Sequence, residues 1–223
     1  MLDVCLDNFA SEEQLAAFND DGYLIVENAL PPDLVARLNV VIDRIDAEER
    51  EQQGLGPHQM MTKFGTILAD VLFLELLDYP TTFPLVCDIL GWNIQHYISH
   101  LIMYPPAPPG AERVRKGAGW HQDGGQPIPD MERPHPRLSL KVAFWFSDVS
   151  DPDKGALRII PGSHKLDELP ARSDPDGDPD GAMHVLVQPG TAVLFDRRMW
   201  HSRGWNYSDE TRKVLFLGYS YRW

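Results

Sequence analysis

Cysteine is scarce in this 223-residue chain, which has only Cys5 and Cys87. A disulfide framework is excluded, and any bound metal is expected to take imidazole and carboxylate ligands rather than thiolates. Basic residues are also short: 20 Lys and Arg face 33 Asp and Glu, for a formal net charge of −13. That balance disfavours nucleic acid and anionic membrane surfaces as partners. Long apolar runs are missing as well. The most apolar stretch, Ile67 to Leu77, is interrupted by Asp70 and Glu75 and is too short to span a bilayer. The segment Met1 to Asp7 has no basic or apolar signal-peptide region. A soluble, cytoplasmic protein without membrane or nucleic-acid partners is expected, and nothing in the composition sets an oligomeric state.

What is present is an ordinary 43% hydrophobic content and eight histidines. Area scaling for this mass buries roughly 70% of the unfolded surface, enough for a full core without staples. Ser11-Glu12-Glu13-Gln14 is a capping-box pattern that opens a helix ending at Gly22. Tyr23–Glu27 reads as a strand. Pro31-Pro32-Asp33 starts a second helix, with Leu34, Val35, Leu38, Val41, Ile42 and Ile45 at helical spacing and a charged tail to Gly54. A third helix is expected between Thr81 and Leu90. From Trp92 onward, runs rich in β-branched and aromatic residues alternate with Pro, Gly and Asp: 94–104, 138–146, 157–160, 183–187, 192–195 and 213–221. Helices followed by strands give an α+β, mainly β chain with a sandwich or jelly-roll core. A single domain over 1–223 is expected, mostly helical over 1–91 with the β core over 92–223. Proline-rich loops, Pro105–Gly119 and Gln126–Pro136, flank one short segment and suit the walls of a site.

That short segment holds Trp120-His121-Gln122-Asp123. Residues two apart on extended backbone share a side, so His121 and Asp123 converge. A strand leading from Pro189-Gly190 delivers His201. Two histidines and one carboxylate form the facial triad that holds Fe(II) with an open face. Arg212 follows His201 by eleven positions, across the turn 206–210. A strand, turn, strand return sets its guanidinium beside His201, where it suits a carboxylate.

With these residues in place, the chain resembles the phytanoyl-CoA dioxygenase family of Fe(II)/2-oxoglutarate oxygenases over most of its length. The resemblance rests on Phe18 to Val26 followed by Leu30-Pro31, on Trp120-His121-Gln122-Asp123, on Gly155 to Lys165 with its Pro161-Gly162-Ser163-His164, and on His201, Asn206 and Arg212. It implies a double-stranded β-helix (jelly roll, cupin-like) with N-terminal helices packed outside. It implies Fe(II) on His121, Asp123 and His201, with 2-oxoglutarate and O2 as co-substrates and Arg212 on the distal carboxylate of 2-oxoglutarate. It carries Lys63 and His100 over as further co-substrate contacts. The implied reaction is hydroxylation of an unactivated C–H in a small organic molecule, with release of succinate and CO2. Desaturation, epoxidation or ring formation share that chemistry, and a jelly-roll protein that binds metal or organic acid without turnover is the alternative from another class. Halogenation is disfavoured, because halogenating relatives lack a carboxylate where Asp123 stands.

One departure concerns Arg203. Two positions after the distal histidine the family often has a small residue; Arg203 is either a second anion-binding group or points outward. The chain also looks slightly short at its C-terminal end for this fold. His164 is expected to be structural, and His58, His96, His135 and His184 to be non-ligands. The run Asp174 to Asp180 has proline at the sixth position where an EF-hand needs glycine, so it reads as a solvated acidic loop. Lys141 lies on an alternating strand and faces either the mouth of the barrel or solvent. Trp120 and Trp200 each precede a ligand and are expected to buttress the metal shell.

Overall fold

A computed structural model describes residues 8–123 and 135–222. Most of the Gln126–Pro136 loop, with Cys5, lies outside the described residues. Among the described residues, ten strands form two antiparallel sheets. The larger contains β1 (Tyr23–Val26), β8 (Ala192–Asp196), β5 (Ser139–Trp145), β10 (Arg212–Tyr221), β3 (Ile94–Tyr104) and β2 (Met61–Phe64), in that spatial order. The smaller contains β4 (Ala118–His121), β9 (His201–Arg203), β6 (Leu157–Ile159) and β7 (Met183–Val185). This is the jelly roll the motifs imply. The β core also draws on the segment before residue 92: β1 and β2 form both edges of the larger sheet, paired to β8 and β3.

The helices cover one face of that sheet. Helix α1 (Glu12–Asp21) starts on the expected capping box, with Ser11 Oγ accepting from Gln14 N (3.2 Å) and Gln14 Oε1 accepting from Ser11 N (2.9 Å). Helix α2 (Pro32–Gln53) buries Leu34, Val35, Leu38, Ile42 and Ile45, the apolar stripe of its sequence. A single turn, α3 (Val71–Leu74), and α4 (Phe83–Leu90) complete the layer. Their side chains pack on Leu101, Met103, Leu140, Val142, Phe144, Leu194, Leu215 and Leu217. A second core, between the sheets, holds Ala143, Trp145, Val193, Phe195, Val214, Phe216 and residues of the smaller sheet. Strand β5 is therefore buried on both faces along its whole length.

Two local devices set where the site residues emerge. The Pro161-Gly162-Ser163-His164 segment hooks the N-terminal region onto the smaller sheet. Gly162 N donates to Asp21 O (2.8 Å), and His164 Nε2 meets Asn19 O (3.1 Å). Ser163 Oγ accepts from Trp200 N (2.9 Å), one residue before His201. Gly22 closes α1 at φ +86°, and a Cβ there would collide with the His164 imidazole, so glycine is required twice over. His164 is structural, as expected.

The second device is Asn206, fully buried, which satisfies every hydrogen-bonding site of its amide. Nδ2 donates to Tyr104 O (2.9 Å) and Glu210 O (2.8 Å), while Oδ1 accepts from Ser208 N (3.1 Å) and Ser208 Oγ (2.7 Å). This closes the turn between β9 and β10 and starts β10 at Arg212. Asn206→Ala strands the buried Tyr104 carbonyl, at about 1–3 kcal/mol, and removes the amide's bonds to Glu210 O and Ser208. The expected loss of about 2–4 kcal/mol lowers the melting temperature by roughly 5–15 °C; a shift below 2 °C in calorimetry would contradict this role.

Candidate metal and anion site

His121 ends β4 and His201 begins β9; the two residues are paired across the smaller sheet. Asp123 lies just beyond β4, anchored by its backbone N–H donating to Arg197 O (2.7 Å). One donor atom from each of His121, Asp123 and His201 lies within 4.8 Å of the others. His121 Nε2 is 3.9 Å from Asp123 Oδ1, and His201 Nε2 is 3.8 Å from Asp123 Oδ2. Those separations are too long for hydrogen bonds and suit atoms that share one ion.

The tautomers fit a metal as well. His121 Nδ1 sits 3.0 Å from Gly119 O, and His201 Nδ1 sits 2.9 Å from Met199 O. A carbonyl can only accept, so each Nδ1 carries the proton and each Nε2 presents a lone pair toward Asp123. Burial pushes His201 down to about 4, only partly opposed by Asp123, so the ring is neutral at physiological pH. Burial would raise Asp123, but the Lys141 ammonium at 2.8 Å opposes it, and the carboxyl is held below its usual range. The donor set is two imidazoles and one carboxylate, which fits Fe(II). The cluster opens on the His121 side, where that side chain is 56% exposed.

Lys141 faces this interior. Its Nζ forms an ion pair with Asp123 Oδ2 (2.8 Å), so its side is lined by protein rather than solvent. Sequence spacing left the side open because β5 alternates cleanly but is apolar on both faces. His100 also faces inward, stacked on Phe216 (4.7 Å between ring centroids, 13° between planes) with Nδ1 buried and unpartnered. Burial, then Lys141, lowers it to about 4.

Lys63 is not brought to this site. In β2 it pairs with Leu101, on the face turned to the helices, and its Nζ meets Glu49 Oε1 of α2 at 2.5 Å. The inward residues of β2 are Thr62 and Phe64, paired with Ile102 and His100.

Arg212 enters the interior from the start of β10 and is 4% exposed. Its Nη1 donates to Gly155 O (2.9 Å), and its guanidinium lies 5.3 Å from the Trp145 ring centroid. Arg203 points inward too, 4.1 Å over the Tyr104 ring. The acidic run is exposed at Asp176 and Asp180, as expected, but Asp178 is tied down: its Oδ1 accepts from Gly117 N (2.6 Å) and Trp120 Nε1 (3.1 Å), and it pairs with Arg158. Trp120, beside His121, is thereby fixed, a contact that no local pattern announced.

The residues before His201 rest on Asp196, whose side chain is fully buried and bound by Arg137 Nε (2.7 Å) and Arg198 Nη2 (2.7 Å). Burial would raise this carboxyl, but the hydrogen bonds from Arg198 and Arg137 prevail and lower it. A lowered carboxyl stabilises the fold above its unfolded value near 3.9, and that contribution is lost as pH falls through the folded value. Asp196→Asn is expected to cost about 3–5 kcal/mol at pH 7, roughly 6–20 °C of melting temperature, with the gap closing below about pH 4. A gap independent of pH would refute the assignment. Ni(II) or Co(II) at about 100 times its dissociation constant should add roughly 2.7 kcal/mol, about 5–11 °C, to the native protein. Thermal shifts that persist undiminished in Asp123→Ala or His201→Ala would exclude this metal site.

Comparison with known proteins agrees with the geometry. The family model described as Phytanoyl-CoA dioxygenase matches residues 18–214. The dioxygenase cdmA of Talaromyces verruculosus is 31% identical over 143 residues, which cover 58% of this chain and 46% of that protein. The ectoine dioxygenase of Nocardia farcinica is 25% identical over 235 residues, covering 92% and 76%. Among solved structures, HygX of Streptomyces hygroscopicus with nickel and 2-oxoglutarate bound has a TM-score of 0.72 at 16% identity, covering 96% of this chain and 88% of that one.

Proposed function

This chain belongs to the phytanoyl-CoA dioxygenase family of Fe(II)- and 2-oxoglutarate-dependent oxygenases, and from that premise we propose that it hydroxylates an unactivated C–H of a small organic molecule. The observation that carries the proposal is the His121, Asp123 and His201 cluster, with both Nδ1 protons committed to backbone carbonyls. In this reading His121 Nε2, His201 Nε2 and the Asp123 carboxylate hold Fe(II), and Lys141 keeps that carboxylate ionised at depth. When bound, the iron with 2-oxoglutarate supplies O2-driven oxidation, releasing succinate and CO2. Arg212 holds the distal carboxylate bidentately. His100 lines the co-substrate pocket beside Phe216. Phe195 and Phe216 exclude water from the interior, which strengthens each of these charged contacts. The small organic substrate reaches the metal from the exposed His121 side, and the loops around it select the substrate.

The iron and the co-substrate carry the oxidative step, while the protein orients them. No helix among the described residues is long and apolar enough to cross a membrane. A free, buried thiol at Cys87 supports a reducing, cytoplasmic setting.

The expected behaviour is O2-dependent succinate release that requires Fe(II) and is stimulated by the substrate. The consumed compound gains one oxygen in mass spectrometry. Loss of two hydrogens would redirect the outcome to desaturation. Asp123→Ala and His201→Ala should abolish succinate release. Arg212→Ala should weaken 2-oxoglutarate binding by roughly 2–4 kcal/mol, about 30- to 700-fold. Succinate release that survives the ligand substitutions would sink the proposal.

A further inference from the structure

Two arginines share one part of the interior. Arg212 opens β10, and Arg203 closes β9 two residues after His201. Both lie against Tyr104, with Arg203 at 4.1 Å and Arg212 at 6.0 Å from the ring centroid. Arg203 also lies 5.4 Å from the Trp205 ring, and Arg212 lies 5.3 Å from the Trp145 ring. Each guanidinium thus lies near two aromatic rings. Arg212 spends Nη1 on Gly155 O, while Arg212 Nε and Arg203 Nη1 are buried without a partner. Among the described residues, no carboxylate pairs with either arginine. Holding the buried Arg212 charge beside the partly buried Arg203 charge is costly unless an anion joins them. Both guanidinium groups lie against the one Tyr104 ring, and after burial the Arg203 charge is the largest cause lowering Arg212, to about 10.

We propose that Arg203 and Arg212 together cradle the distal carboxylate of 2-oxoglutarate, and that Arg203 makes the pocket selective for a 2-oxo acid with a second acid group. The proposal rests on the Fe(II)/2-oxoglutarate reading above. Its geometry follows from the strand. Residues 201 and 203 project to the same side, about 7 Å apart along β9. A ligand chelated at the metal beside His201 and lying along the strand presents its far end to Arg203. That offset suits a five-carbon diacid. The planar N–H edges match a carboxylate, and two of them engage more of its lone pairs than one arginine can. Relief of the repulsion between the arginines adds to the affinity.

The test is calorimetric titration of Ni(II)-loaded protein, without oxygen, with 2-oxoglutarate and with 2-oxopentanoate, which has the same length but no distal carboxylate. The native protein should bind 2-oxoglutarate far more tightly. Arg203→Gln should weaken 2-oxoglutarate by about 10- to 100-fold and leave 2-oxopentanoate unchanged. Arg203→Lys, which keeps the charge without the planar fork, should fall between. Ni(II) affinity and melting temperature are read on each variant. If the Gln variant melts early, the Lys variant decides, and a ratio of the two affinities equal to that of the native protein overturns the proposal. Arg203→Gln binding 2-oxoglutarate within twofold of native, or more tightly, overturns it and leaves the enzymatic reading intact. A native, Ni(II)-loaded protein that binds no 2-oxoglutarate overturns both.

Discussion

The ionised carboxylate of Asp123 sits between two sheets whose facing side chains are largely apolar, and much of the interior is arranged around the cost of putting it there. Burial alone raises the pKa of that carboxyl and so disfavours its charge. Lys141 supplies a positive charge at 2.8 Å, and two imidazoles turn their lone pairs toward it rather than their protons. The pattern is the reverse of a stabilising hydrogen-bond network. Acceptor faces acceptor around a common point, an arrangement that a cation resolves. The same economy governs the arginines, which face one another's charge across Tyr104 and meet no carboxylate among the described residues.

Rigid supports keep these groups in register. Asp196, Ser163 and His164 tie the approach to His201 to the N-terminal helix, through Arg137 on Asn19 and through His164 on the Asn19 carbonyl. Asp178 ties Trp120 to the loop beyond β6. Asn206 closes the return to Arg212. Each support reaches far along the chain, so the metal ligands come from short strands whose positions are fixed by distant segments. This is how a constellation on β4, its following loop and β9 is kept rigid enough for chemistry.

Part of this was legible because it is local. The capping box at Ser11, the apolar stripe of α2, and the same-side spacing of His121 and Asp123 depend on periodicities of a few residues. The return from His201 to Arg212 was not legible in the same way: it crosses from the smaller sheet to the larger, where Arg212 pairs with Tyr104. The carry-over of Lys63 shows the limit. In β2 a side chain's face is decided by one residue of register, and pairing with Leu101 turns Lys63 toward Glu49 and the helices. His100, one strand further in, pairs with Phe216 and faces the site.

By itself the sequence determined the fold class, the pair of histidines with one carboxylate, and the arginine that follows them, because each is written in short-range spacing and in ordered motifs. The tertiary structure alone decided which way Lys141 and Arg203 point, that β1 and β2 form the edges of the larger sheet, and that the acidic run anchors Trp120. Those outcomes depend on strand register and on contacts between segments tens of residues apart, where burial and charge are set by neighbours that no local pattern names.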